Sequence, residues 1–174
     1  MTSSPYRVLC VCLGNICRSP TAEVILQHYA NTAGLMVEVD SAGTSNYHPN
    51  KAPDPRTQKH AKESGYDVSH LRARQVQAQD FADFDLILAM DKNNLADLKT
   101  QAQHLRSNNK MVTAQLALMS EHCDIYPKQP IPDPYYGEAD GFKQVIQQCE
   151  SAAQAWVEHW QFSKTVQNKK HENK

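Results

Sequence analysis

The chain has 174 residues, with 18 lysines and arginines against 19 aspartates and glutamates, so its formal net charge is -1. That length suits one domain with its own core, and the balanced charge argues against binding to nucleic acid or an anionic membrane through a global basic field. No signal-peptide pattern and no apolar stretch near the roughly 20 residues of a membrane span are present, which predicts a cytoplasmic protein. Three of the five cysteines crowd into Cys10, Cys12 and Cys17, which is typical of reduced thiols rather than of a secreted disulfide framework.

Strand-like and helical segments alternate in the first half of the chain. Residues 7–11, which are apolar after Arg7 and include two β-branched valines, predict a buried strand. Ser19 is then a suitable N-cap for a helix that Gly34 ends. Residues 36–40 predict a second strand. A turn-rich loop follows, and Asp54 then opens the second helix.

The alternation continues in the second half. Residues 85–90 are the clearest later strand, and Asp91 is placed to cap the helix that follows. Residues 111–119 predict a fourth strand, with a helix as the other interpretation, and residues 138–160 predict the last helix. This order of strands and helices predicts an α/β fold, a parallel sheet with helices on both faces and active loops at the carboxyl ends of the strands. The polar, lysine-rich tail, residues 163–174, is expected to be disordered.

The loop after the first strand carries the clearest chemical pattern, a cysteine and an arginine separated by five residues, Cys12 and Arg18. A loop of this length can curl so that successive backbone N–H groups converge on one anion at the start of the next helix. The guanidinium of Arg18 can hold two phosphate oxygens at once, and the electropositive loop favours the nucleophilic thiolate of Cys12. Ser19 can donate its hydroxyl to the same sulfur, while Gly14 and Asn15 tolerate the left-handed backbone that the curl requires.

Other interpretations of this loop remain open from the residues alone. The pattern also fits a strand end and a capped helix in which the cysteines pack as small apolar residues. A zinc site is a second alternative, but the sequence has no Cys-x2-Cys pair and no His-x3-5-His tract. A nucleotide-binding loop fits less well, because no Gly-x4-Gly-Lys-Ser/Thr motif is present.

A second chemical pattern is the segment Pro132-Asp133-Pro134-Tyr135-Tyr136. A thiolate that attacks a phosphate ester expels an alkoxide or phenoxide, and a nearby carboxylic acid can protonate that oxygen. Asp133 is the candidate acid, held at the pocket rim by the flanking prolines, and the two tyrosines offer aromatic walls for a substrate ring. Taken alone, the segment also fits an ordinary Asp-Pro turn.

Together these patterns resemble the low-molecular-weight protein tyrosine phosphatases. The resemblance covers residues 6–162 and implies a four-stranded parallel sheet with helices on both faces, a phosphate-binding loop after the first strand, and no metal or organic cofactor. One domain is therefore expected over residues 1–162. Two departures are a stretch at residues 119–130 that is longer than usual and a tail that runs past Phe162. The matching segments, in the same order and at similar separations, are residues 8–20, 40–44, 90–91 and 132–137.

The resemblance also implies roles for individual residues. Cys12 is expected to be the nucleophile, Arg18 the phosphate clamp, and Asp133 the general acid that later serves as base for the attacking water. Asp91 is expected to orient the loop, but a role as the cap of its own helix explains this residue equally well. The residues expected to support the loop are Asn15, Ser19, Ser41, His70 and Asp91. The residues expected to contact the substrate are Leu13, Gly14, Asn15, Ile16, Cys17, Ser19, Tyr47, Tyr135 and Tyr136.

The predicted function is hydrolysis of phosphotyrosine through a phosphocysteine intermediate. Phosphotyrosine-containing proteins and a tyrosine kinase are the expected partners, without nucleic acid or membrane. A protein-arginine phosphatase is the nearest alternative, since that subgroup resembles this loop with threonine where Ile16 stands. A thiol-dependent arsenate reductase needs two further cysteines close together, whereas Cys123 and Cys149 are far apart in sequence. The non-enzyme alternative is a phosphate-binding redox sensor. The presence of a candidate general acid, Asp133, is evidence against it.

Overall fold

The computed structural model of the protein describes residues 4–166. Four strands form one sheet in the order β2-β1-β3-β4, and each of the three strand pairings is parallel. The carboxyl ends of the strands therefore meet at one edge, and the predicted fold class is confirmed. The strands are β1 (Tyr6–Cys12), β2 (Val37–Gly43), β3 (Leu86–Ala89) and β4 (Gln115–Leu118).

Helices cover both faces of this sheet. α1 and α5 share one hydrophobic core with the sheet, and α4 packs in a second core on the opposite face. The one-turn helix α3 was not predicted from the sequence. The helices are α1 (Arg18–Thr32), α2 (Pro55–Glu63), α3 (Asp80–Asp83), α4 (Lys92–Ser107) and α5 (Ala139–Ser163).

The central strand β1 explains why the first apolar run has no polar interruptions. Val8 and Cys10 belong to the core on the α1 and α5 face, whereas Leu9 and Val11 belong to the core on the α4 face. All four side chains are fully buried. A strand covered on both faces needs apolar residues at each buried position, so the continuous apolar run at residues 8–11 correctly indicated a buried strand. Arg7, at the start of the predicted segment, has a side chain that is 42% exposed.

The start of α1 differs from the prediction. The helix begins at Arg18, with Cys17 at the N-cap position and no side-chain cap bond there, so Ser19 lies inside the first turn. The prediction of Ser19 as N-cap is therefore wrong. Its hydroxyl lies against the sulfur of Cys12 and the side-chain amide of Asn15 instead of a helix-terminal N–H group.

The predicted starts of α2 and α4 and the predicted end of α1 are confirmed. The side chain of Asp54 accepts a hydrogen bond from the backbone N–H of Arg56, and that of Asp91 accepts one from the N–H of Asn94. Both carboxylates satisfy donors that a helix N-terminus leaves free. Gly34 follows α1 with a φ of 69°, a left-handed conformation that favours glycine.

The C-terminal region is described only as far as residue 166. α5 continues three residues past the predicted Trp160, and Val166 beyond it packs into the core with 6% of its surface exposed. The rest of the predicted tail, residues 167–174, lies outside the described residues. None of the helices within residues 4–166 is long and apolar enough to cross a bilayer.

Candidate active site

The loop that joins β1 to α1 is fixed at both ends by regular structure. Cys12 is the last residue of β1, and Arg18 is the first residue of α1. Asn15 takes a left-handed conformation with a φ of 56°, which produces the predicted curl. Gly14 does not share that conformation. A Cβ atom at Gly14 would instead lie 3.2 Å from the ring of His48, so a small residue is favoured there by close packing.

The sulfur of Cys12 lies at the bottom of this curl. It is 3.0 Å from the hydroxyl oxygen of Ser19, and the backbone N–H of Asn15 donates to it over 3.2 Å. Only 3% of the residue is exposed. A thiolate at this position would accept both hydrogen bonds, and hydrogen bonds from such donors stabilise the charged form of a nucleophilic cysteine.

The side chain of Asn15 connects the loop to two other parts of the chain. Its Nδ2 donates to the hydroxyl oxygens of Ser19, at 2.8 Å, and of Ser41 in β2, at 3.0 Å. Its Oδ1 accepts a hydrogen bond from the backbone N–H of Arg74 at 3.0 Å. All hydrogen-bonding groups of the amide are therefore used, and the left-handed turn is held from both sides.

His70 does not belong to this network, contrary to the prediction. The residue is exposed in a turn near Asp67, and within residues 4–166 it is not a hydrogen-bond partner of Asn15. The neighbouring Val68 and Ala73 are both buried, and this anchoring leaves the turn between them in solvent. The backbone N–H of Arg74 is the donor to the Oδ1 of Asn15.

The carboxyl end of β2 packs directly against the loop that joins β1 to α1, residues 12–18, which is called the phosphate loop below. The backbone N–H of Thr44 donates to the carbonyl of Cys12 at 2.9 Å, and that of Ser45 donates to the carbonyl of Leu13 at 3.0 Å. A Cβ atom at Gly43 would lie 2.7 Å from the oxygen of Leu13, a distance that side chains do not adopt. Gly43 therefore permits the close approach of the two segments.

Arg18 is held on the opposite side of the loop by two carboxylates. Its Nη1 donates to Asp91 at 2.6 Å and to the carbonyl of Ile131 at 3.2 Å, and its Nη2 lies 3.5 Å from Asp133. Burial by itself lowers the pKa of Arg18, but the charges of Cys12 and the two aspartates outweigh it and raise that pKa. The guanidinium is therefore a permanent positive charge beside the sulfur.

Asp91 makes both of the contacts that the sequence suggested. One carboxylate oxygen caps α4 by accepting from the N–H of Asn94 at 2.7 Å, and the other accepts from Arg18 at 2.6 Å. Capping and orientation are thus compatible, because a carboxylate can accept hydrogen bonds at both oxygens.

Asp133 lies at the rim of the site. One of its oxygens accepts a hydrogen bond from the backbone N–H of Tyr135 at 3.0 Å, and the other faces Arg18. Its side chain is 43% exposed, in contrast to the buried guanidinium beneath it. This carboxyl group can exchange a proton with a bound molecule or with water.

The two predicted segments meet around one pocket of about 280 Å³. Cys12 and Arg18 form part of its base, whereas Tyr136, with 94% of its surface exposed, stands at the outer edge. The predicted Asn15 and Ser19 do not line the pocket but support it from the buried network. The lining residues are Cys12, Leu13, Gly14, Ile16, Cys17, Arg18, Tyr47, His48, Asp133, Tyr135 and Tyr136.

Three residues near the site were missed in the sequence. The ring of His48 lies 6.2 Å from that of Tyr135, and the guanidinium of Arg56 lies 5.4 Å from the same ring. Glu23 accepts a hydrogen bond from Ser41 at 2.6 Å. No local pattern marks these residues, because His48 and Arg56 reach the site through the packing of distant segments and Glu23 is connected to it through Ser41 of β2. Among residues 4–166, no group of three or more His, Cys, Asp or Glu side chains could hold a metal ion.

Comparison with known proteins identifies the family to which the chain belongs. The model of the low molecular weight phosphotyrosine protein phosphatases matches residues 7–172. The chain belongs to this family. The human low molecular weight phosphotyrosine protein phosphatase is 40% identical over 153 residues, which cover 87% of this chain and 93% of the human protein. The predicted resemblance is thereby confirmed, and the protein is a hydrolase of the phosphatase class.

Solved structures of other phosphatases have the same fold. A protein tyrosine phosphatase from Entamoeba histolytica with Hepes in its active site superposes with a TM-score of 0.81, at 34% identity, over 91% of this chain and 99% of that one. The Drosophila arginine phosphatase superposes with a TM-score of 0.81, at 34% identity, over 88% of this chain and 96% of that one. The low molecular weight phosphatase fold is thus similar in proteins named for two different phosphorylated side chains.

Proposed function

We propose that the protein hydrolyses phosphotyrosine in proteins through a phosphocysteine intermediate on Cys12. The observation that carries this proposal is that the sulfur of Cys12, the guanidinium of Arg18 and the carboxyl of Asp133 line one pocket. These are a nucleophile, a cation that suits phosphate oxygens, and a proton donor, the three groups that the reaction requires.

In the first step, the thiolate of Cys12 attacks phosphorus, and a sulfur–phosphorus bond forms as the bond to the tyrosine oxygen breaks. Asp133 donates its proton to the departing phenolate. The fork of Arg18 holds two of the phosphoryl oxygens, and the loop N–H groups stabilise the charge that spreads over them. The products of this step are free tyrosine in the substrate protein and phosphocysteine.

In the second step, water attacks the phosphorus of the phosphocysteine. Asp133, now a carboxylate, accepts a proton from that water, and the sulfur–phosphorus bond breaks. Inorganic phosphate leaves, and the electron pair returns to the sulfur of Cys12. The hydroxyl of Ser19, 3.0 Å from the sulfur, can donate to the thiolate as it leaves.

The pocket walls favour a long aromatic substrate. Leu13, Ile16 and Tyr135 supply apolar and aromatic surface above the base, with Tyr47 and Tyr136 at the open end. A tyrosine ring can fill this space, whereas phosphoserine is too short to reach the base without drawing its peptide backbone between the walls. Phosphotyrosine is therefore the proposed substrate class.

Phosphoarginine is the second candidate, which the likeness to the Drosophila arginine phosphatase supports. Ile16 bears on the choice, because it lines the pocket where an arginine phosphatase is expected to carry threonine. An apolar wall suits an aromatic ring better than a phosphorylated guanidine. Phosphotyrosine, phosphoserine and phosphoarginine peptides should be compared for the unmodified protein and for Ile16→Thr. A preference of the unmodified protein for phosphoarginine would reverse the assignment.

The proposed location is the cytoplasm, and the proposed partners are phosphotyrosine proteins together with the tyrosine kinase that supplies them. The five cysteines all lie within residues 4–166 and are free thiols, which suits a reducing compartment. Neither nucleic acid nor a membrane is proposed as a partner. Trapping on a Cys12→Ser variant, followed by mass spectrometry, would identify the substrates.

The function is tested with an aryl phosphate and two variants. Cys12→Ser removes the nucleophile and is expected to abolish turnover, and Arg18→Ala is expected to lower kcat by at least about a hundredfold. Cys123→Ser is the matched control, since Cys123 is also a buried free cysteine but lies outside the pocket. Appreciable turnover by Cys12→Ser would contradict the mechanism.

A further inference from the structure

The hydrogen bonds behind the phosphate loop end at a carboxyl group that the proposed reaction does not use. Glu23, on the second turn of α1, accepts a hydrogen bond from the hydroxyl of Ser41 at 2.6 Å. That hydroxyl accepts from the amide of Asn15, which also donates to Ser19. The oxygen of Ser19 lies 3.0 Å from the sulfur of Cys12. A continuous series of hydrogen bonds thus joins Glu23 to the nucleophile.

The direction of the bonds nearest Glu23 follows from which groups can donate. A carboxylate only accepts, and a serine hydroxyl has one proton to give. Once Glu23 is ionised, the proton of Ser41 therefore points to it, and the Ser41 oxygen is left to accept from Asn15. The Oδ1 of Asn15 already accepts from the backbone N–H of Arg74 at 3.0 Å, so the amide directs its two N–H groups at the serines.

The direction at the other end follows in the same way. Ser19 accepts the second N–H of Asn15 at 2.8 Å, so its own proton is free for another acceptor. The sulfur of Cys12 is 3.0 Å away, and the carbonyl of Ala42 lies farther, at 3.4 Å. The shorter approach and the charge of a thiolate favour donation to the sulfur.

We propose that Glu23 is a positioning residue, which accepts the Ser41 proton and thereby directs the Ser19 proton at the sulfur of Cys12. Without an acceptor at residue 23, the Ser41 hydroxyl is not held with its oxygen toward Asn15, so the Asn15 amide loses a fixed acceptor and no longer orients the Ser19 hydroxyl. Cys12 then loses a donor. This inference rests on the proposed role of Cys12 as nucleophile, and it deepens that function by naming a residue that acts through others.

Charged and titratable groups from three other segments face Glu23. They are Asp40 on β2, Arg74 in the loop before α3, and Cys10 on β1. Burial raises the pKa of Glu23 to about 7, Asp40 adds to the rise, and the Ser41 hydrogen bond and Arg74 oppose it. Loss of this group therefore has two effects of opposite sign. Removal of a negative charge would ease ionisation of Cys12 through space, whereas loss of the directed bonds would hinder it.

The test measures the rate at which iodoacetamide alkylates Cys12 as a function of pH, with mass spectrometry of the Cys12 peptide. Glu23→Leu removes the acceptor, and the pH midpoint of alkylation is expected to rise by about one pH unit, which is the effect of one hydrogen bond. Glu23→Gln keeps an oxygen that can accept from Ser41, so its midpoint should stay within a few tenths of a unit. Asp40→Asn, which removes a nearby charge but leaves the acceptor of the Ser41 hydroxyl, should not raise the midpoint.

Ser41→Ala provides an independent variant that breaks the same series one bond closer to the nucleophile. It should raise the midpoint as much as Glu23→Leu, and the double variant should show no further rise, because both act through one path. A fall or no change in the midpoint for Glu23→Leu, or additive rises in the double variant, would overturn the proposal. If Glu23→Leu does not fold, an unchanged midpoint in Ser41→Ala would have the same consequence.

Alkylation needs no turnover, so this result is separate from the proposed function. Absence of aryl phosphate hydrolysis by the unmodified protein would contradict the phosphatase mechanism but would leave the alkylation midpoints measurable. Conversely, if the protein hydrolyses aryl phosphate but the pH midpoint of alkylation does not change in Glu23→Leu, the proposed function stands and Glu23 is not a positioning residue.

Discussion

At the scale of single residues, Asp133 combines a fixed backbone contact with an open carboxyl group. One oxygen accepts from the N–H of Tyr135, and the side chain remains partly exposed at the pocket rim. A proton can therefore pass from it to a leaving group and later return from water. How strongly the rate depends on that proton is set by the leaving group, because a stable phenolate departs without help.

Asp133→Ala is therefore expected to slow hydrolysis of phenyl phosphate by about a hundredfold or more, and that of 4-nitrophenyl phosphate much less. Steady-state kcat values for the two esters give the comparison. Asp124→Ala, at an exposed aspartate outside the pocket, serves as the control. An equal decrease in kcat for the two esters would show that Asp133 is not the general acid.

Cys17 lines the same pocket as Cys12 and provides a second thiol near the nucleophile. Burial raises the pKa of Cys17 to about 12, so it remains a neutral thiol at physiological pH. An oxidised Cys12 sulfenic acid can condense with Cys17 to a disulfide, with loss of water, and the attacking species is the Cys17 thiolate. This disulfide should therefore form faster as the pH rises.

Peroxide is accordingly expected to inactivate the enzyme, and a dithiol should restore it. Recovery should be poor in Cys17→Ser, because the sulfenic acid then proceeds to irreversible acids. Capture of the disulfide after a peroxide pulse should increase between pH 7 and pH 9. The same extent of recovery in the variant and the unmodified protein would refute the protective role.

At the scale of elements, the close approach of β2 to the phosphate loop depends on Gly43. The backbone of this strand end binds the carbonyls of Cys12 and Leu13, and a side chain at Gly43 would collide with the second of these. The colliding atoms belong to the backbone, so they can separate only if the loop or the strand moves.

Gly43→Ala is expected to reduce the free energy of unfolding by about 1–3 kcal/mol and to lower kcat by at least about tenfold, since the loop carries the nucleophile. Urea unfolding and aryl phosphate kinetics measure the two effects. Gly137→Ala is the matched control, because its nearest contact would be an ordinary 3.6 Å. Wild-type activity in Gly43→Ala would show that the loop does not depend on this approach.

At the scale of the whole molecule, burial of Glu23 connects folding to pH. Its pKa is raised from 4.5 to about 7, so the folded state binds its proton more tightly than the unfolded state. The stability gained from this proton is complete below about pH 4.5 and is lost as the pH rises through about 7. The shift corresponds to a change on the order of 3 kcal/mol in the free energy of unfolding.

Glu23→Gln carries no titrating group, so its stability should decline less between pH 5 and pH 8 than that of the unmodified protein. Urea unfolding at pH 5 and at pH 8 measures the decline in the free energy of unfolding for each protein. Contributions from other titrating groups cancel when the decline of the variant is subtracted from that of the unmodified protein. Glu38→Gln, at a largely exposed glutamate on the same sheet, should behave like the unmodified protein. Identical declines in all three proteins would contradict a raised pKa of Glu23 in the folded state.

The sequence by itself determined the features that depend on neighbouring residues. The segment at residues 7–11, apolar from Val8 onward, predicted a buried strand. Asp54 and Asp91 indicated helix starts because a cap bonds to N–H groups two or three residues away. The spacing of Cys12 and Arg18 fixed the size of the loop between them. The exception is Ser19, whose hydroxyl does not cap α1 because it lies against Cys12 and Asn15 of the loop before the helix.

Only the tertiary structure decided which polar side chains meet behind that loop. Ser41 was assigned to the network only through the family resemblance. Neither Glu23 nor the backbone of Arg74 was marked by any local pattern, since Glu23 on α1 meets the network through Ser41 of β2, and Arg74 lies in the segment before α3. His70 was placed in the network, yet its turn lies in solvent between two buried neighbours. Periodicity reports which face of an element is apolar, but a hydrogen bond between distant segments depends on how the elements pack, and that information is not local.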